Sequence, residues 1–231
     1  VNAAPGLRMH LSPSFGKGRD VGQAVVDMLY ANGDNGRIPV IGVTGTNGKT
    51  TSVRLMAHLL TLAGYRTGFT GTEGVHVNGR CTDTGDCSGP KSARNVLSHP
   101  EVDAAVLECA RGGMLREGLG FDMCDVAIVT NIGVGDHLGL NYINSVEELS
   151  VLKRVIVQNV APNGTAVLNA CDPHTVAMAA FSPGKVVFFA SQPDAPAAAL
   201  HRAQGRRVVV REGDDLCAVE GEVVHRLSLA R

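Results

Sequence analysis

No apolar run in this 231-residue chain approaches 18 residues, and nothing in it resembles a spanning helix or a signal peptide, so the expectation is a cytoplasmic protein. An excess of either charge is also missing. Lys and Arg number 21 against 22 Asp and Glu, for a net charge of −1, so neither a nucleic acid nor a membrane surface is expected as a partner. The six cysteines, at 81, 87, 109, 124, 171 and 217, include no C-x-x-C pair. They read as free, mostly buried thiols rather than a disulfide framework or a metal site. The 44% hydrophobic residues are ordinary for a globular core, and the length suits one large domain or one and a half small ones.

Against that plain background one stretch stands out, Ile38 to Gly64. Val40 to Val43 is a short β-branched apolar run, as expected of a buried parallel strand. Gly45-Thr46-Asn47-Gly48-Lys49-Thr50, continuing into Thr51, follows at once. Val53, Met56, Ala57 and Leu60 then share one helical face, and Gly64 is placed to end the helix. Strand, glycine-rich loop and helix N-terminus in that order make a phosphate site. Small residues let backbone N–H groups face an anion, Lys49 would reach the terminal phosphates, and the Thr50 hydroxyl would bind magnesium. The general motif carries a glycine five residues before its second one; here that position is Val43. The plainer reading is an ordinary glycine-rich turn, which the G-K-T and its context disfavour.

The stretch Asp20 to Leu29 predicts one amphipathic helix, residues 31–37 a turn-rich linker, and Ile38 the start of a new domain. Beyond the phosphate loop, Thr67 to Val77 runs into a hairpin signal at Asn78-Gly79, Gly85 to Gly89 reads as a loop, and a helix is expected over Lys91 to Ser98 after Pro90. Apolar runs at Val102–Leu107, Asp125–Val129 and Ala166–Leu168 end in Glu108, Thr130-Asn131 and Asn169. Taken singly, each of these polar residues is a solvated loop residue. Together with the phosphate loop they mark the C-terminal edge of a parallel sheet, where ligands bind. Ser145-Val146-Glu147-Glu148 is a capping box opening a helix to about Val160. Lys153 falls on that helix's apolar face, either snorkelling from its edge or turned inward for a purpose. The last third predicts strand Val186–Ala190, helix Ala195–Gln204, and short strands Val208–Arg211, Leu216–Glu220 and Glu222–Leu227. Arg202, Arg206, Arg207 and Arg211 read as a solvated basic face. The fold class is therefore α/β: a mostly parallel phosphate-loop sheet flanked by helices, with a small antiparallel C-terminal addition.

Activating a carboxylate with ATP needs fixed phosphates, divalent cations and an aimed carboxylate. Magnesium takes oxygen ligands and keeps several waters, so Glu108 with Thr50 suits a first site. His137, in Gly135-Asp136-His137-Leu138-Gly139, is the candidate for a second, though a loop histidine is as readily a hydrogen-bonded one. A carbamate on Lys153 would turn an inward cation into an oxygen donor.

T-G-T-N-G-K-T-T at 44–51, Glu108, T-N-I-G-V-G-D-H-L-G at 130–139 and L-N-A-C-D-P at 168–173 together resemble the central ATPase domain of the Mur ligases. V-N-A-A-P-G-L-R-M-H at 1–10, G-D-C-S-G-P-K-S-A-R at 85–94 and L-E-C-A-R-G-G-M-L-R-E-G-L-G at 107–120 are similar to the cyanophycin synthetase family within them. The resemblance implies that residues 1–36 are the C-terminal tail of an ATP-grasp domain plus linker. Residues 37–231 would be the Mur ligase-like central ATP-binding domain, with the C-terminal Mur domain absent and the fragment by itself inactive.

It implies an ATP-dependent amide ligase that joins arginine to the aspartate β-carboxylate of a cyanophycin primer through an acyl phosphate. The ATP-grasp part would add aspartate, with ATP and Mg2+ as cofactors and a homo-oligomeric parent protein. Mapped here, Gly45 to Thr51 bind phosphates and Thr50 and Glu108 the first magnesium, with His137 joining Glu108 at the second. Asn131 and Asn169 fall to the nucleotide, Asn169 towards adenine, and Lys153 aligns with a lysine carbamylated in several Mur ligases. Arg111, whose guanidinium matches a carboxylate bidentately, is the candidate for the polymer's carboxylate. Cys171 stands where many relatives have Asp. Rival readings are a folylpolyglutamate or cell-wall precursor ligase, a phosphate-loop kinase or hydrolase, and a non-catalytic nucleotide-binding domain.

Overall fold

The computed structural model describes residues 6–135, 138–139 and 142–229. They fall into two compact units, divided between Arg37 and Ile38. The first holds two helices, α1 (Arg8–Leu11) and α2 (Val21–Leu29). The Asp20 side chain caps α2 by accepting from Gln23 N–H at 2.9 Å, and no residue of either helix is buried. Helix α1 lies in a four-residue turn too short to leave a periodic signal.

The second unit is one sheet dressed with helices. In chain order it contains β1 (Val40–Thr44), α3 (Lys49–Leu62), β2 (Thr67–Gly71), β3 (Gly74–Val77), β4 (Arg80–Thr84), α4 (Pro90–Leu97), β5 (Ala104–Glu108) and α5 (Arg111–Glu117). There follow β6 (Cys124–Val129), α6 (Val146–Lys153), α7 (Val155–Gln158), β7 (Val160–Asn169), α8 (Pro173–Met178), β8 (Lys185–Ala190), α9 (Pro196–Ala203), β9 (Val208–Glu212), β10 (Asp215–Glu220) and β11 (Val223–Ser228). The strand order is β11-β10-β9-β8-β7-β6-β1-β5-β2-β3-β4. All pairings from β9 across to β2 are parallel, and β10 and β11 add antiparallel as expected.

The opposite edge is antiparallel too. β3 returns along β2, and β4 returns along β3 through the Asn78-Gly79 turn, whose φ angles of 49° and 77° suit a tight hairpin. The single run expected over Thr67–Val77 is thus two strands, because Thr72-Glu73 turn the chain.

β1 is the hinge of the topology. The chain leaves it for β2 and β5 on one side, then crosses to β6, β7 and β8 on the other, so β1 marks the switch point where a ligand crevice opens at the C-terminal edge. Its period-two pattern feeds both faces. Val43 packs with Val53 and Ala57 of α3 and Val106 of β5, with Met56, Leu60 and Ile128 around them, which is the helical face expected of α3. Val40 belongs to the larger core on the other face, with Leu107, Leu149, Ile156, Leu168 and Phe188. Val43 is fully buried, so the motif position that a glycine usually holds is here a core strand residue, and the loop begins only at Gly45. Helix α3 closes with Tyr65 N–H on the Leu60 carbonyl at 3.1 Å and Gly64 at φ 95°.

The helix expected to run to about Val160 is shorter. It breaks at Arg154 into α6 and α7, stops at Gln158, and Val160 already pairs with Cys124 as the first residue of β7. β-Branched Val155, Val157 and Val160 favour that early exchange of helix for strand. The capping box is present, with Ser145 accepting from Glu148 N–H at 3.1 Å and Glu148 accepting from Ser145 N–H at 3.3 Å.

Candidate functional site

Register places the site. Val43 of β1 lies opposite Glu108 at the end of β5, and Thr44 opposite Val129 at the end of β6. The phosphate loop therefore leaves β1 between Glu108 on one side and Thr130-Asn131 on the other. Val129 is in turn opposite Leu168, which sets Asn169 beside Thr130.

The loop is fixed by groups from the neighbouring strand end. Gly45 has φ 143° and Gly48 φ 82°, backbone that L side chains rarely adopt. A Cβ on Gly45 would meet the Thr130 hydroxyl oxygen at 1.9 Å. That hydroxyl donates to the Asn47 carbonyl at 2.6 Å. Asn131 grips Asn47 at both ends: its Oδ1 accepts from Asn47 N–H at 3.0 Å, and its Nδ2 donates to the Asn47 carbonyl at 3.1 Å. Thr46 N–H donates to the Asn131 carbonyl at 2.8 Å, and Gly133 N–H to the Thr46 hydroxyl at 2.9 Å. Asn131, expected at the nucleotide, thus shapes the loop that faces it. Asn169 is committed similarly, donating to the Thr130 carbonyl at 3.0 Å and accepting from Cys171 N–H at 2.9 Å.

Two lysines meet at the loop. Lys49 donates to the Gly45 and Thr46 carbonyls, both at 3.0 Å. Lys153 is wholly inaccessible to solvent and donates to the same Gly45 carbonyl at 2.5 Å. Snorkelling is therefore not its role: α6 drives the side chain under the loop, where its ammonium group supports the strained backbone.

Across the loop lies Glu108, 2% exposed. Its Oε2 accepts from the Thr50 hydroxyl at 2.9 Å, and its Oε1 is buried with no hydrogen-bond partner among the described residues. Burial pushes the carboxyl above the ordinary glutamate range. The Thr50 hydrogen bond and the Lys49 charge pull it back, whereas the Asp86 charge adds to the rise. An orphaned buried carboxylate oxygen beside a loop hydroxyl is a donor set suited to a hard cation that brings its own waters, and magnesium fits it. Among the described residues no group of three or more His, Cys, Asp or Glu is arranged as a metal cage. Magnesium at a phosphate site needs none.

These residues open onto one cleft of about 490 Å³, lined on the loop side by Thr46 to Thr51 and on the far side by Glu108 and Arg111. Arg111 is 7% exposed and begins α5. His137, the candidate for a second cation, and its neighbour Asp136 lie outside the described residues. Thr72, Asp86 and Ser88 also line the cleft, and sequence reasoning assigned them nothing. Asp86 and Ser88 sit in G-D-C-S-G-P, a polar, glycine-bounded loop after the hairpin, which was the one available signal.

The Mur ligase middle domain family matches residues 43–225. The chain is 46% identical over 230 residues to a cyanophycin synthetase of Synechocystis sp., covering all of this chain and 26% of that one. It is 44% identical to a cyanophycin synthetase of Trichormus variabilis, covering 25% of it. The chain thus spans about a quarter of the length of these curated relatives. A UDP-N-acetylmuramoyl-L-alanyl-D-glutamate--2,6-diaminopimelate ligase of Chlorobaculum tepidum is 30% identical over 170 residues, 72% of this chain and 33% of that one. Among solved structures, a ligase bearing that same name superposes with a TM-score of 0.61 at 20% identity, covering 89% of this chain and 41% of the other. A bifunctional folylpolyglutamate synthase/dihydrofolate synthase with Mn, AMPPNP and L-glutamate bound gives 0.55 at 21% identity, covering 84% and 49%. At such identities the superpositions speak for the fold.

Proposed function

The chain belongs to the Mur ligase middle-domain family, and from that premise we propose that it is the nucleotide-binding domain of an ATP-dependent carboxylate–amine ligase. The observation that carries this reading is the single cleft in which a phosphate loop faces a buried, half-satisfied Glu108 and the Arg111 guanidinium. A kinase or hydrolase would use the loop alike, but would leave Glu108, His137 and Asn169, each following an apolar strand run in the sequence, without a common explanation. Its 46% identity to a cyanophycin synthetase supports the narrower assignment: joining arginine to an aspartate β-carboxylate through an acyl phosphate, with aspartate addition by another part of the parent protein.

The chain's own groups divide the work. Loop N–H groups and the N-terminus of α3 hold the nucleotide's phosphates. Lys49 leaves the loop carbonyls to meet the terminal phosphate, which its four-carbon stem allows. Lys153, Thr130 and Asn131 keep the loop open before ligand arrives, so less ordering cost falls on binding. Arg111 holds a substrate carboxylate against the phosphoryl group in the geometry that proximity catalysis requires. Magnesium at Glu108 and Thr50 would neutralise charge on the phosphates. His137 as ligand of a second cation and Asn169 towards adenine belong to the same reading; a carbamate on Lys153 would be a second state of that residue, in which one N–H rather than an ammonium group meets the Gly45 carbonyl.

The test is ADP release by the full-length protein, supplied with an aspartate-arginine primer ending in a free aspartate side chain, with and without arginine. Arginine-dependent release that Lys49→Ala abolishes supports the assignment. Wild-type arginine addition by Lys49→Ala would make the loop structural and the assignment wrong.

A further inference from the structure

Asp86 and Ser88, in the short segment 85–90, line the same cleft as the phosphate loop, and the reaction above does not use their polar groups. The segment is held in place from both sides. Cys87 N–H donates to the Gly71 carbonyl at the end of β2 at 3.0 Å, and Ala110 N–H, just before α5, donates to the Ser88 carbonyl at 3.1 Å. Within this wall of the cleft Ser88, 5% exposed, turns both its N–H (3.1 Å) and its hydroxyl (2.5 Å) onto one oxygen of Asp86, Oδ1. The Asp86 carboxylate is thereby oriented, and it lines the same cleft as Glu108, Thr50 and Lys49.

A second carboxylate here works against nucleotide binding unless a cation intervenes. Phosphates, Glu108 and Asp86 would crowd like charges into one cleft, where Lys49 and Arg111 are the cations that line it among the described residues. Glu108 independently points to a cation, since its Oε1 is buried and has no hydrogen-bond partner among the described residues. Magnesium bound through one carboxylate and one hydroxyl retains several waters, each with hydrogens to donate. An oriented carboxylate lining the same cleft is the acceptor such waters require, as outer partners of metal sites are.

We propose that Asp86 is a positioning residue that accepts hydrogen bonds from the water shell of the divalent cation held by Glu108 and Thr50, making nucleotide binding dependent on the metal. The inference rests on the proposed magnesium site and goes beyond it. Asp86 acts through the bound waters, and its charge gives it a signature of definite sign. Replacing it weakens the metal while relieving repulsion of the metal-free nucleotide. A residue that merely shaped the wall would affect both alike.

The test uses full-length protein saturated with AMPPNP, with Mn2+ binding read from the electron paramagnetic resonance of free Mn2+, in wild type, Asp86→Asn, Asp86→Ser and Glu108→Gln. Fluorescent-nucleotide binding in EDTA is the companion measurement. The expected result is a Mn2+ Kd raised about 10- to 100-fold in both Asp86 variants, with nucleotide affinity in EDTA unchanged or tighter. Mn2+ affinity within about twofold of wild type in the Asp86 variants, with loss in Glu108→Gln, overturns the inference and leaves the magnesium site standing. If Glu108→Gln also binds Mn2+ normally, both fall. Nucleotide binding weakened equally with and without metal, or a rise confined to the KM of the amine substrate, would likewise overturn it, the first assigning Asp86 to the wall's structure and the second to the amine.

Discussion

Replacing Gly45 by alanine is the sharpest test of how the phosphate loop is held. The new Cβ would lie 1.9 Å from the Thr130 hydroxyl oxygen and 3.1 Å from its Cβ, at a φ of 143°. Backbone strain of ~1–3 kcal/mol adds to loss of the hydroxyl's bond to Asn47, about 1 kcal/mol. The sum is about 3 kcal/mol, which for a unit of this size lowers Tm by about 6–12 °C. Thermal denaturation of the chain by circular dichroism gives the stability, and calorimetric titration with ADP reports the loop. Thr130→Ala alone should cost about 1 kcal/mol. The double variant should cost about 3 kcal/mol rather than 4, because the hydroxyl can be lost only once. Additivity within about 0.5 kcal/mol, or a Gly45→Ala protein with wild-type Tm and ADP affinity, would show that Thr130 does not set the loop.

Two further outcomes follow from the buried acids and thiols. Burial raises the Glu108 pKa in the folded state. Its stabilising contribution is therefore complete below the ordinary glutamate pKa of about 4.3 and is lost as pH rises through the raised value. In EDTA, Glu108→Gln should melt above wild type at pH 7, with the gap closing towards pH 4; a gap independent of pH would refute the shift. Cys81 and Cys171 are exposed and the other four cysteines buried, with burial pushing Cys124 up to about 12 and Cys109 further still. Iodoacetamide at pH 8 should label the two exposed thiols of the native chain and spare Cys109 and Cys124. The same shifts erode stability as pH rises from about 8.5, where unfolded thiols ionise, towards 12. Mass-spectrometric detection of native Cys124 labelling at the rate of Cys81 would contradict its burial.

The sequence by itself determined the local elements whose residues carry their own reason. Gly45 to Thr51 could be read as a phosphate loop because glycines, lysine and threonine at that spacing do one job, and Val53, Met56, Ala57 and Leu60 declared the buried face of α3. The strand ends at Glu108, Asn131 and Asn169 were legible as apolar runs meeting polar residues. Pairing across the sheet was not, because hydrogen bonds between distant strands leave no periodic mark. Only the tertiary structure put β1 between β5 and β6, showed Asn131 clamping Asn47 at both ends, and drove Lys153 beneath Gly45. Only it brought Asp86 into one cleft with Lys49, since an exposed aspartate in a polar loop looks like any other until the strand order decides what it lies beside.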